Sequence, residues 1–253
     1  MTIDDTVARV RDRMTHVPGL AALILIGSTA RGDRQKNSDI DIVALIYDNA
    51  LWPVPFRDGG RETFVDADGV QVELAFTTLG RLRQRMIDEA AEGRRARCDW
   101  VEDAALLLGG GGEFEQLRAE GRQLLAQGPP PLSDSDIAWS CYEIWNLVKD
   151  VEDCLAEPAC AAQLARAPYD AMLRFCFRLH QAWEPRAKAV LQALETVDPA
   201  LYELASRFLV ANAADHYAAL LAMQRHLAES FNLDFHAPYI SPARSLAPHA
   251  PAR

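Results

Sequence analysis

Two carboxylates, Asp39 and Asp41, stand two residues apart in the run Ser38-Asp39-Ile40-Asp41-Ile42-Val43. The aliphatic residues around them give the run a β pattern. Side chains alternate along a strand, so Asp39 and Asp41 share one face while Ile40 and Ile42 turn the other way, into a core. At the usual strand rise their Cα atoms lie about 6.6 Å apart. Both carboxylates can then converge on one or two Mg²⁺ ions. Strands avoid aspartate, and two on one face repel each other. A divalent metal is the simplest reason to keep them.

Upstream lies Gly27-Ser28-Thr29-Ala30-Arg31-Gly32, where a strand gives way to a helix start. Glycine at Gly27 lets a phosphate approach the backbone. Free N–H groups at such a turn favour an anion. Ser28 adds a hydroxyl, and Arg31 a fork of donors for phosphate oxygens. The parts suit a nucleoside triphosphate with its metals, and catalysis by positioning and charge neutralisation. Each piece has an ordinary meaning by itself: a turn, a surface charge, a local cap. Their joint order and spacing carry the reading.

The pattern G-S-x-x-R-G, then ten intervening residues from Ser28 to Asp39, then D-x-D between aliphatics, resembles the polymerase-β-like nucleotidyltransferase superfamily. In that superfamily a third carboxylate comes from a later strand with apolar neighbours. Val72-Glu73-Leu74 fits that place, with Asp66 and Asp68 as rivals. Asp68 is already accounted for by a turn. The resemblance implies Asp39, Asp41 and Glu73 as metal ligands and catalytic carboxylates. It also implies nucleotide contacts from Gly27, Ser28, Arg31 and Ser38, with Mg²⁺ as cofactor and ATP as co-substrate. The matched motifs lie in roughly the first third of the chain.

The plan of the whole chain resembles the aminoglycoside (kanamycin-type) nucleotidyltransferases, which join such a domain to a helical one. That resemblance implies transfer of AMP from ATP to a hydroxyl of a small cationic acceptor, with release of pyrophosphate. It also implies a carboxylate base and a triphosphate lysine on a helix of the second domain. Glu143 and Lys149 are the candidates, although their spacing of six departs from one helical turn. Lys188 is a second candidate for the lysine. Two further readings stay open: modification of a protein or tRNA, as in toxin–antitoxin modules, and a silent nucleotide-binding module. The intact carboxylate set argues against the last. Dense basic clusters occur only at 81–85 and 94–97, and both read as solvated helix faces.

Several elements are needed to hold these groups. Val7, Val10, Met14 and Val17, behind Asp4 and Asp5, have helical spacing. Strands are expected at 21–26 and 40–46. A hairpin, 61–66 and 70–76, is expected around the turn signal Asp68-Gly69. Thr77 or Thr78 caps a helix carrying Leu79, Leu82 and Met86. A further strand is expected at 101–108 and a helix at 114–125. The glycines of 109–112 lack the Lys-Ser or Lys-Thr of a phosphate loop and read as a turn. Gly128-Pro129-Pro130-Pro131 is the linker. Ser133 and Asp136 then form a capping box for a helix with the stripe Ile137, Cys141, Ile144, Val148, Val151 and Leu155. Helices follow at 169–182, 187–197, 199–210 and 213–231. The expected fold is therefore α+β: an N-terminal nucleotidyltransferase domain at 1–128 with a mixed sheet and flanking helices. An all-α domain follows at 133–236, then an irregular tail at 237–253.

The chain has 253 residues, 49% of them hydrophobic, and a formal net charge of −10. That balance repels nucleic acid and attracts a cationic partner, so nucleic acid is not the expected acceptor. The five cysteines are scattered with no CxxC pair, which indicates neither a zinc framework nor disulfides. With no apolar run long enough for a signal peptide or a bilayer, a cytoplasmic protein without membrane contact is expected. A homodimer is compatible with the sequence.

Overall fold

The computed structural model describes residues 3–50, 60–66, 69–109 and 111–239. Asp68, Gly110 and residues 240–253 lie outside them, so the turn centre, part of the glycine run and most of the expected tail are not described. The chain divides into two compact units. One is Met1–Pro130 with Gln181–Ala187, the other Pro131–His180 with Lys188–Arg253. No helix among the described residues is long and apolar enough to cross a membrane.

The first unit is built on a five-stranded mixed sheet in the order β3-β4-β2-β1-β5. Its strands are β1 (Leu20–Ile26), β2 (Ile40–Ile46), β3 (Gly60–Val65), β4 (Gln71–Thr78) and β5 (Ala105–Gly109). β1 and β2 are apolar almost throughout because both faces are covered. Helix α1 (Ile3–Met14) presses Val10 and Met14 against Leu23, Ile40, Ile42, Val72 and Leu74. The opposite face packs Ile24, Val43 and Leu45 against α3 (Leu79–Ala91), α4 (Ala96–Asp103) and α5 (Gly111–Gln127). The short helix α2 (Gly27–Arg31) follows β1 directly. Thr78, rather than Thr77, caps α3, its side chain accepting from Arg81 N at 3.1 Å.

The strand expected at 101–108 is corrected by the structure. Its first residues end helix α4, and only Ala105–Gly109 is extended. Cys98 and Val101 bury one side of α4 at a spacing of three, and Arg118 donates to the carbonyls of Val101 (2.9 Å) and Ala104 (2.6 Å). A cation on the last carbonyls terminates a helix well. Gly109, at φ +107, is required by close packing: a Cβ there would sit 2.4 Å from Ala21 O. The segment Gln181–Ala187 is tied to this unit by Trp183 Nε1 donating to Leu125 O (3.1 Å) and Glu184 N donating to Gly93 O (2.9 Å).

The second unit is helical: α6 (Asp134–Asp153), α7 (Pro158–Leu164), α8 (Arg166–Leu179), α9 (Val190–Val197), α10 (Pro199–Val210) and α11 (His216–Phe231). The Ser133–Asp136 capping box is formed in both directions. α6 stops at Asp153, so Leu155 falls outside the buried stripe and is exposed. α7 was not expected; Pro158 at its first turn starts it. The helices expected from 187 and 213 begin with 3-10 turns at Ala187–Ala189 and Ala213–Asp215. Tyr169 stacks on Phe208 with centroids 4.5 Å apart.

Candidate active site

β2 lies between β1 and β4, antiparallel to the first and parallel to the second. That register puts Asp41 directly between Ile26 and Glu73. Ile40 and Ile42 are buried on the α1 side, so Asp41 and Glu73 face the other way. Asp39 sits one residue ahead of β2. One ligand atom from each of Asp39, Asp41 and Glu73 lies within 4.8 Å of the others. All three side chains are part-buried. Burial first, then the charges of Asp39 and Glu73, push the Asp41 carboxyl up to about 6, against the pull of Arg61 and Arg31. Three carboxylates with this crowding suit a hard divalent cation such as Mg²⁺, which is bound through oxygen ligands.

The turn after β1 reaches the same place. Gly27 has φ +74, and a Cβ on it would fall 2.6 Å from Asp41 Oδ2. Only glycine lets the backbone pass so close to that carboxylate. Ser28 follows in α2, its carbonyl accepting from Asp33 N at 3.1 Å. Arg31 is held by Asp33 (3.2 Å) and Asp103 (3.6 Å). Ser38 closes the loop before β2: its Oγ accepts from Gln35 N at 3.1 Å. The rival Asp66 is occupied in the hairpin, accepting from Val70 N at 2.9 Å and from the Thr6 hydroxyl. Glu143 and Lys149 belong to α6 of the second unit, where Lys149 faces Asp153 at 3.5 Å.

Arg61 was not singled out from the sequence, yet its Nη1 lies 2.7 Å from Glu73 Oε2. The hairpin would have revealed it: Arg61 pairs with Ala75, diagonal to Glu73. Further along this face, Val43, Ala75 and Thr77 floor a cavity of about 340 Å³, lined also by Arg61, Arg81, Arg85, Arg97 and Trp100. The two basic clusters thus meet here, and Arg97 is not on a solvated face. Its guanidinium lies 3.7 Å from the Trp100 ring centroid, and burial lowers its pKa. Arg97 Nε and Thr77 Oγ1 are shut off from solvent without a hydrogen-bond partner among the described residues.

Residues 7–99 match the family model of the nucleotidyltransferase domain. A nucleotidyltransferase-like protein from Exiguobacterium sibiricum has a similar crystal structure, with a TM-score of 0.52 at 12% identity. The match covers 90% of this chain and 75% of that one. None of the curated proteins compared with the chain matches it. Residues 7–99, within the first unit, therefore carry a nucleotidyltransferase domain, and nucleotidyl transfer is the class of reaction that match supports.

Proposed function

We propose that the protein transfers AMP from ATP to a hydroxyl of a small acceptor, with Mg²⁺ held by Asp39, Asp41 and Glu73. The observation that carries this is the gathering of those three carboxylates within 4.8 Å of one another, beside the Gly27-Ser28 turn. A divalent ion there supplies charge neutralisation for the triphosphate and the developing pentavalent phosphorus. Ser28 and Arg31 hold the β- and γ-phosphates, Arg31 leaving Asp33 and Asp103 to do so. The acceptor oxygen bonds to the α-phosphorus as the bond to the bridging oxygen breaks, and pyrophosphate leaves. The hydroxyl proton passes to a carboxylate of the same cluster, Glu73 being the candidate.

For the acceptor, the acidic balance of −10 and the domain plan favour a cationic, aminoglycoside-like molecule. A second reading is favoured by one observation: Arg81, Arg85 and Arg97 converge on the cavity beside Arg61. An acceptor bearing phosphates, such as tRNA, would suit those arginines. The test is to incubate the protein with Mg²⁺ and α-phosphate-labelled ATP against a panel of aminoglycosides, tRNA and protein. Label on an aminoglycoside supports the first reading and label on tRNA the second. Absence of any transfer by the wild-type protein, or transfer that persists undiminished in Asp39→Asn and Asp41→Asn, would refute the proposed activity.

A further inference from the structure

The second unit holds a different set of metal-binding side chains. Cys176 lies in α8, fully buried, and His180 follows one helical turn later, just past the helix end. A spacing of four puts both on one side of the helix. Asp198 precedes α10 and caps it, Oδ1 accepting from Leu201 N at 2.9 Å. Its Oδ2 faces the other two groups, 3.8 Å from Cys176 Sγ and 3.5 Å from His180 Nε2, and also His226 Nε2 at 2.9 Å. Ligand atoms of all three residues lie within 4.8 Å of one another.

We propose that Cys176, His180 and Asp198 form a zinc site. Tetrahedral zinc, with bonds of about 2.0–2.3 Å, separates its donor atoms by roughly 3.3–3.6 Å. The two separations from Asp198 Oδ2, 3.5 and 3.8 Å, are close to that. One thiolate, one imidazole and one carboxylate form a borderline-soft set that suits Zn²⁺ and not Mg²⁺. The charges also balance: Zn²⁺ neutralises one thiolate and one carboxylate in a buried place, and binding expels the thiol proton to solvent. His226, on α11, also holds the carboxylate, its Nε2 lying 3.0 and 2.9 Å from the two Asp198 oxygens. Ligating carboxylates are oriented by such contacts. Three protein ligands leave a fourth position, and His180, with a third of its side chain exposed, marks the open side. A water completes the tetrahedron there.

The competing account is a purely structural network in which the thiol and both histidines donate to Asp198 without any metal. The test uses full-length protein carrying Asp39→Asn and Asp41→Asn, so that the carboxylate site contributes no metal. Metal analysis after growth with zinc should give one equivalent per chain. Cobalt(II) in its place should give a thiolate-to-metal charge-transfer band, absent from Cys176→Ser and retained when Cys154 and Cys160 are both changed to serine. His180→Ala, on the exposed side, should stay folded by circular dichroism and bind zinc at least tenfold more weakly. Folded protein with neither zinc nor the band, or a band that survives Cys176→Ser, would overturn the proposal. So would unchanged zinc affinity in His180→Ala. None of these readouts depends on nucleotidyl transfer, so failure here leaves the activity assignment untouched.

Discussion

Two aspartates, one in each unit, sit in opposite surroundings. Asp41 is surrounded by its own kind: burial, Asp39 and Glu73 push its carboxyl up to about 6. Asp198 is surrounded by donors. Burial raises its pKa too, but the Leu201 amide and His226 outweigh that and hold it below the usual carboxylate value. The first aspartate is costly to the fold in the absence of a cation; the second stabilises the fold before any cation arrives. A side chain kept against its own electrostatics marks where the chain serves chemistry.

The largest effect should come from breaking the first cluster. Asp39→Asn keeps the shape and removes a charge from the cation site, so nucleotidyl transfer should fall on the order of 10³-fold with the circular dichroism spectrum unchanged. Turnover within threefold of wild type in a labelled-ATP assay would remove Asp39 from the chemistry. Asp198→Ala should do the reverse, at some distance in magnitude. It deletes the α10 cap and leaves buried donors unpaired, so stability should drop by about 2–3 kcal/mol, read as a lower urea midpoint at constant slope. An unchanged midpoint would show that the network around Asp198 is ornamental to the fold.

Gly27→Ala sharpens the contrast from the backbone side. The native φ is +74 and the new methyl would meet Asp41 Oδ2 at 2.6 Å. The strain costs about 1–2 kcal/mol of stability. Because the atom displaced is a proposed metal ligand, activity should fall by about 10²-fold, more than the lost stability alone would explain. Thermal melts and single-turnover rates on the same preparation separate the two.

How much of this could be read from the chain depends on how local each cause is. The apolar run of β2 with two interposed aspartates carries its own evidence, because strand alternation decides which side chains share a face. The hairpin turn likewise fixes β3 against β4, and with them Arg61 against Glu73. Helix α4 was misread because it has no amphipathic stripe. Cys98 and Val101 are its buried residues, and its end is set by Arg118, which arrives from α5. The cluster around Asp198 was invisible for a related reason. Its members come from three helices, α8, the start of α10 and α11, and only packing brings them together. The pairing Cys176 and His180 has helical spacing, but nothing in the chain points from it to Asp198.

The smallest effect is the one that best tests the comparison. In chelator-treated protein, Asp41→Asn should raise stability, because asparagine keeps the volume and removes one of three crowded charges. The folded-state pKa of Asp41, about 6, stands above its ordinary 3.8. Its charged form is therefore the unfavourable one in the fold. The destabilisation is absent below 3.8, grows as pH rises between the two values, and is complete above about 6. With the site partly open to solvent, screening reduces the effect to about 1 kcal/mol at pH 7.5. The variant should accordingly melt a few degrees higher than wild type at pH 7.5 and converge with it near pH 4. Excess Mg²⁺ should erase or reverse the difference, since the ion stabilises only the protein that binds it. Asp198→Asn should show the opposite sign, less stable at pH 7.5 and approaching wild type as acid protonates the native carboxylate. If Asp41→Asn melted lower than wild type without metal, the crowded carboxylates would be mutually supported by Arg61 and Arg31, and the contrast between the two aspartates would collapse.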